Sequence, residues 1–214
     1  MRINLEILDS AYVYASQEIE NLNTKELVPK MMTRRRLTRA AKIAIYLADQ
    51  VSFTEGRIIY GSSFGELDVT AKILNAINEN EPISPTHFQN SVYNTAVSYL
   101  SMLNNNKNEI LTLSSGDHTS QNILKSGAIK ALDGDTLLLL VTETLNIENI
   151  EEVNRCVAFL ECGVALKVKV TNKEATLNTQ LLENEKGTPL SVQHMLNIAK
   201  GMHSDQDNIV EVIL

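Results

Sequence analysis

The segment Thr136–Thr142 (TLLLLVT) holds five consecutive apolar residues, Leu137 to Val141, with nothing polar between them. Side chains of a strand point alternately to its two faces, so a strand with one wet face shows alternation. This segment does not alternate. Both of its faces must therefore be covered by other parts of the chain, and it is far shorter than the roughly 18–20 apolar residues of a membrane-crossing helix. The chain is thereby required to form a layered fold, with a central strand between two sets of helices.

The flanking segments supply those layers. Ile3, Leu5 and Ile7 alternate with polar neighbours as a first strand, which Tyr12-Val13-Tyr14 extends. Leu37, Ala41, Ala44, Ile45 and Ala48 recur at helical steps, so Leu37–Val51 reads as a helix with an Ala-rich buried face, capped by Thr33 or Thr38. Arg57–Tyr60 reads as a strand ending at Gly61, and Glu66–Asn78 as a helix. Ser84 and Pro85 carry the signature of a helix start, and Phe88, Val92, Ala96, Tyr99, Leu100 and Leu103 trace one stripe along a single helix. Glu109–Ser114 is a strand, Ser115-Gly116-Asp117-His118 a turn, and Gln121–Leu132 a helix capped by Thr119 or Ser120. After the central strand, Cys156–Leu160 and Val164–Val170 read as strands joined by a hairpin through Glu161-Cys162-Gly163. Leu177, Thr179 and Leu181 alternate like an edge strand, Val192–Lys200 is helical, and Ile209–Leu214 is apolar. The order β-α-β-α-α-β-α-β predicts an α/β domain with a mostly parallel sheet, one domain over residues 1–214.

With 214 residues, 43% hydrophobic and 21% charged, the chain has a core of ordinary size and is neither a disulfide scaffold nor disordered. Its net charge of −7 argues against nucleic acid as a partner. One basic stretch, Arg34, Arg35, Arg36, Arg39 and Lys42, offers either a face for an acidic partner or a solvated helix start. Met1–Ser10 lacks a signal-peptide core, and no run suits membrane insertion, which predicts a cytoplasmic protein. Cys156 and Cys162 are expected to be buried free thiols. His87, His118, His194 and His203 have no metal-ligand spacing, and neither a lysine-ended phosphate loop nor G-x-G-x-x-G is present, so no metal or cofactor is expected.

Two polar clusters invite chemistry. Gly61-Ser62-Ser63-Phe64-Gly65 fits the G-x-S-x-G elbow between a strand and a helix, which would make Ser63 the nucleophile of an α/β serine hydrolase, an esterase or thioesterase. The acid and histidine would have to come from Asp117 and His118, adjacent in sequence, or from Asp205 and His203, in the wrong order. The competing reading is a tight turn with close helix–sheet packing. Ser114–Ser120 lies where a strand hands over to a helix whose N–H groups suit an anion or oxyanion, yet it holds no cysteine, no lysine and no spaced acid pair.

Four segments in order resemble the N-terminal half of β-ketoacyl synthases of the thiolase fold: Gly61–Glu66, Ser84–Asn94 with its Ser-Pro start and Asn94, the strand, turn and helix of Ile110–Ala131, and Ala131-Leu132-Asp133-Gly134-Asp135 before the buried strand. The resemblance implies a thiolase-like half, a single αβα layer with a mixed, mostly parallel five-stranded sheet and helices on both faces. It places Gly116 where the synthases carry their acyl-accepting cysteine, while the family's histidines and lysine belong to a second half-domain. A lone half leaves an apolar face bare.

The Arg-rich helix start and the S-P-x-x-F-x-x-S-V-x-N helix are similar to the short ketoacyl-synthase-like proteins of bacterial aryl polyene clusters, from about Met32 to Val170, with Tyr93 where those usually have His. What this implies is a non-catalytic chain-length factor that pairs as a heterodimer with a full-length β-ketoacyl synthase. Ile110, Thr112, Ser114 and Ser115 would then form the subunit interface, and His87, Phe88, Ser91 and Val92 would line the partner's acyl tunnel, with core packing as the alternative for Phe88 and Val92. Arg34, Arg35, Arg36 and Arg39 would meet an acyl carrier protein, and the isolated chain would be free to form a homodimer. Residues 172–214 carry no assignable motif.

Overall fold

The structure is a computed structural model and describes residues 1–147, 157–177, 184–202 and 208–214. The chain starts with a long strand, β1 (Arg2–Ala15), which joins the two predicted pieces into one element with a register shift between Ile7 and Asp9. Two short helices, α1 (Thr24–Leu27) and α2 (Met31–Arg34), lead to α3 (Arg39–Gln50). Thr38 caps α3, its Oγ1 accepting from the Ala41 N–H at 3.2 Å, so of the two proposed caps it is the second that acts. Then follow β2 (Arg57–Gly61), α4 (Leu67–Asn78), α5 (Pro85–Asn90), α6 (Thr95–Asn104), β3 (Ile110–Leu113), α7 (Thr119–Lys130), β4 (Leu137–Thr144), β5 (Glu161–Thr171), α8 (Leu190–Gly201) and β6 (Ile209–Ile213).

The strands form one six-stranded sheet in the order β3-β2-β4-β5-β1-β6. β4 occupies its interior, and Leu137 to Val141 have no exposed surface. Leu137, Leu139 and Val141 pack with Ile123 of α7 and Leu196 of α8 on one face; Leu138 and Leu140 pack with Ile43 of α3 and Leu100 of α6 on the other. The α/β layering with helices on both faces is thus as expected. The sheet is mixed, as expected, but has six strands instead of five, and three of its five pairings are antiparallel. β2 runs parallel to β3 and β4, whereas β5 is antiparallel to β4 and β1, and β6 to β1. Alternation identifies a strand but not its direction, which is set by partners as far apart as β1 and β5.

Two other expectations are corrected. Glu161-Cys162-Gly163 is the start of β5 and no hairpin turn; a Cβ on Gly163 would lie 2.7 Å from side-chain carbons of Ile43 and Leu47, so this glycine serves the close approach of α3. Leu160 and the described residues before it, Val157 to Phe159, lie outside any strand, while Cys156 lies outside the described residues. The helix expected from Ser84 to Leu103 is broken after Asn90. The buried Asn90 side chain donates to the Arg36 carbonyl at 3.3 Å and accepts from Tyr99 Oη at 3.1 Å, while Thr95 Oγ1 donates to the Asn90 carbonyl at 3.1 Å. These bonds replace helix continuation through residues 91–94.

The bare face expected of a lone half is covered by the chain's own C-terminal segment. α8 lies beside α7 and buries Val192, Met195, Leu196 and Ile198 in the same cluster as Leu139, each worth on the order of 1.5–3 kcal/mol when fully buried. β6 adds to β1 at the sheet edge, and Leu177 bridges Val210 beyond it. Thr179 and Leu181 lie outside the described residues. Among the described residues, no helix is long and apolar enough to cross a membrane.

Candidate functional site

Strand β3 delivers the chain to the turn that the sequence resemblance aligns with the nucleophile turn of the synthases. Gly116 sits there with φ +55°, and a Cβ built on it would meet nothing within 4 Å. The left-handed backbone favours glycine, whereas the surroundings leave room. A single 3-10 turn, Gly116–His118, then enters α7. Thr119 locks the turn: its Oγ1 accepts from the Ser115 N–H at 3.1 Å and donates to the Gly116 carbonyl at 2.7 Å. Cys162 lies in β5, buried, its thiol donating toward the Phe159 carbonyl and pushed far up by burial, with Glu143 and Glu161 adding to the shift. A thiol held protonated in this way is no nucleophile.

Among the described residues β3 is an edge strand, hydrogen-bonded to β2 alone. The Ile58 N–H donates to the Glu109 carbonyl at 3.1 Å and the Ser62 N–H to the Leu113 carbonyl at 3.3 Å. By the two-residue period of a strand, Glu109, Leu111 and Leu113 turn their backbone groups toward β2, and Ile110, Thr112 and Ser114 turn theirs outward. The main-chain groups of three of the four interface residues inferred from the sequence therefore form the free edge. Ser115 is instead taken into the Thr119 lock.

Helix α5 presents Phe88, 72% exposed, with Val92 at 50% just beyond it. Neither is core, which removes the packing alternative for both within this chain. Leu74 and Ile77 of α4 and Tyr93 are exposed as well. His87 is half-buried, and Ser91, at the C-cap, donates from Oγ to the Phe88 carbonyl at 2.9 Å.

The basic stretch divides in two. Arg34 donates to the Val28 and Pro29 carbonyls, both at 2.7 Å. Arg39 reaches Glu161 through Nε at 2.7 Å and Nη2 at 2.5 Å, and Glu18 through Nη1 at 2.7 Å. Burial alone would lower the Arg39 guanidinium, but the hydrogen bonds and charge of Glu161, with Glu18 behind it, raise it above its ordinary value. Arg34 and Arg39 thus hold the fold; Arg35 and Arg36 are exposed.

The G-x-S-x-G turn is built around an acid that the sequence reading passed over. The Glu143 carboxylate, fully buried, accepts from Ser62 Oγ at 2.8 Å, the Ser63 N–H at 2.6 Å, the Phe64 N–H at 3.2 Å and Ser191 Oγ at 2.7 Å. Burial raises this carboxyl, and the four hydrogen bonds oppose the shift. Ser62 Oγ also accepts from the Gly65 N–H at 2.8 Å. Glu143 therefore ties the β2–α4 turn to α8. Ser63 makes its bond here through the backbone, and among the described residues no histidine hydrogen-bonds to it; His118 pairs with Gln121 at 3.3 Å, and His203 and Asp205 lie outside the described residues. Nearby, Glu66 is buried and its carboxyl is pushed up to about 7 by burial, against the Thr38 Oγ1 that donates to it at 2.7 Å. A signal for Glu143 did exist: an acid two residues beyond an unbroken apolar run, in the same doubly covered strand, needs partners.

Comparison with known proteins bears on this arrangement. The sequence family described as Beta-ketoacyl synthase, N-terminal domain, matches residues 11–213. No curated protein matches in sequence. Among solved structures, the chain is similar to one in the complex of the ketosynthase ApeO with its chain length factor ApeC from Xenorhabdus doucetiae, with TM-score 0.69 and 22% identity over 91% of this chain and 92% of that one. It is also similar to the ishigamide ketosynthase/chain length factor, with TM-score 0.62 and 11% identity over 78% of this chain and 62% of that one. A third is AntDE:AntF, a type II PKS acyl-carrier protein in complex with its ketosynthase, with TM-score 0.61 and 11% identity over 79% and 63%. This chain spans under two thirds of the length of the latter two. These likenesses carry the fold, and the sequence match over residues 11–213 carries the membership: the chain belongs to the β-ketoacyl synthase N-terminal domain family.

Proposed function

We propose that this chain is a non-catalytic, chain-length-factor-like subunit that pairs in the cytoplasm with a full-length β-ketoacyl-[acyl carrier protein] synthase, in aryl polyene or related polyketide-type chain elongation. The observation that carries the reading is Gly116 in the turn at the head of α7, the position that the sequence resemblance aligns with the family's acyl-accepting cysteine. Without a sulfur there, no acyl-enzyme thioester forms on this turn. The free edge of β3 supports a partner, because an unpaired row of N–H and C=O groups is a template for strand addition. The exposed Phe88 and Val92 support the tunnel role: a bulky apolar side chain projecting from the chain could fill a partner's cavity and stop an acyl chain by steric overlap. Arg35 and Arg36 remain the candidates for an acidic carrier protein. The relatives that form ketosynthase and chain length factor complexes lend the reading its partner class.

The test is co-expression with a full synthase. A stoichiometric complex is expected from the native chain. Thr112→Pro removes an outward N–H on an edge strand, where proline is tolerated, and should abolish the complex while leaving the circular dichroism of the free chain unchanged. A complex that survives Thr112→Pro, or acyl-thioester condensation by the purified chain alone, would overturn the proposal.

A further inference from the structure

The first turns of α7 and α8 open onto one cavity of about 270 Å3, lined by His118, Ser120 and Gln121 at the former, Leu190, Gln193 and His194 from the latter, and Asp117 and Asn184. Each helix has 12 residues. Ser120 has 0% exposed surface, and among the described residues its hydroxyl has no hydrogen-bond partner. A buried, unpaired hydroxyl is uncommon in a native fold and costs stability, so its persistence on a cavity wall asks what meets it. The preceding residue, Thr119, spends its own hydroxyl on the turn, which leaves Ser120 free of that duty.

We infer that this junction between two helix starts is a binding site for a small carboxylate, with the Ser120 hydroxyl donating to it and the His194 ring beside it. The positive end of α7 favours an anion at such a point, while the first turn of α8 already holds the Glu143 carboxylate through Ser191. Carboxylate oxygens accept hydrogen bonds only, which suits a hydroxyl that has no partner among the described residues. Burial lowers the His194 imidazole, so at neutral pH it meets a ligand uncharged, and a bound anion would raise it again. The titratable groups on the wall are Asp117, His118 and His194; Asp117 is exposed, so its repulsion of an anion is screened by solvent. The volume admits a molecule of a few carbons. Ser120 and the α8 residues are not positions the partner role uses, so the site stands or falls without it.

The experiment uses the full isolated chain, isotope-labelled, with acetate, succinate and inorganic phosphate as probes at constant ionic strength. Saturable shifts of the His194 ring and the Ser120 amide with a carboxylate are expected, together with an increase in the His194 pKa at saturation. Ser120→Ala should keep the amide spectrum elsewhere unchanged and weaken carboxylate binding by about tenfold, the loss of a hydrogen bond to a charged group. Linear shifts without saturation, with Ser120 contacting water only, would overturn the site. So would equal affinity in Ser120→Ala, and phosphate binding as tightly as either acid would overturn the carboxylate assignment. Because no synthase is present, failure here leaves the partner reading untouched, and loss of the complex in the co-expression test leaves this one untouched.

Discussion

Replacing Arg39 by Met separates a structural role from a docking role at the basic stretch. Glu161 is 1% exposed and is held by Arg39 Nε and Nη2 at 2.7 and 2.5 Å, with the Ile19 N–H as its other donor at 2.8 Å. Met keeps much of the aliphatic stem and deletes the fork, so the main loss is an uncompensated buried carboxylate. Such losses run about 3–5 kcal/mol. The Arg39 side chain retains 23% exposure and Glu161 keeps one donor, which argues for the lower end, about 3 kcal/mol. In a domain of this size each kcal/mol moves the melting temperature by about 2–4 °C, so a decrease of about 6–12 °C is expected by scanning calorimetry. Adding Glu161→Gln to Arg39→Met should return part of the loss, since the second change removes the stranded charge. Carrier-protein binding, measured well below the transition, should not change. A melting temperature within 2 °C of the native chain, or no coupling between the two substitutions, would refute the reasoning.

Four further outcomes follow from the same structure. Arg35→Glu with Arg36→Glu should leave the melting temperature within the small range typical of surface changes, while weakening a carrier protein if one docks there, which a binding titration at two salt concentrations reads. Glu66 has a folded pKa of about 7 against 4.5 unfolded; the folded state therefore binds more protons between those values, and its contribution to stability is lost as pH rises from 4.5 to 7. Glu66→Gln, which can still accept from Thr38, should accordingly be more stable than the native chain at pH 8, by at most about 3 kcal/mol, and no more stable near pH 4, as urea titrations at the two pH values would show. Gly163→Val drives carbon into Ile43 and Leu47 and should cost about 1–3 kcal/mol or more in the same assay, because the packed α3–β5 contact has no room to give. Phe88→Ala should leave stability unaltered yet lengthen the products of the co-expressed complex, read by mass spectrometry; unchanged products from an intact complex would remove Phe88 from the tunnel wall.

Much of the element pattern can be read from spacing. Thr38 before Ala40-Ala41, the period of α3, the unbroken run of β4 and Gly116 at the β3–α7 turn all state their place locally, because capping, face alternation and positive φ are decided within a few residues. The break after Asn90 could not be read this way. Phe88 and Val92 continue the stripe of Ala96 and Leu100, and only the Arg36 carbonyl and Tyr99, reached across the fold, hold Asn90 in place of another helical turn. Gly163 gave the wrong sign for a similar reason: a glycine in a short polar stretch reads as a turn until α3 is seen against it. The partners of the buried acids Glu143 and Glu161 were equally hidden, since Ser191 and Arg39 lie far from them in sequence.

By itself, then, the sequence determined that this chain is a layered α/β domain with a doubly covered central strand, and that the turn ahead of α7 holds a glycine. Those are local facts, fixed by periodicity and residue type; that this glycine takes the place of a cysteine is what the resemblance to the synthases implies. Tertiary structure alone decided the direction of β1, β5 and β6, the use of the last residues as the cover of the α7 face, and the division of one arginine run into two residues that hold the fold and two that face water. Each of these depends on which distant surfaces meet, and hydrophobic burial, being non-directional, leaves that choice to the packing of the whole chain.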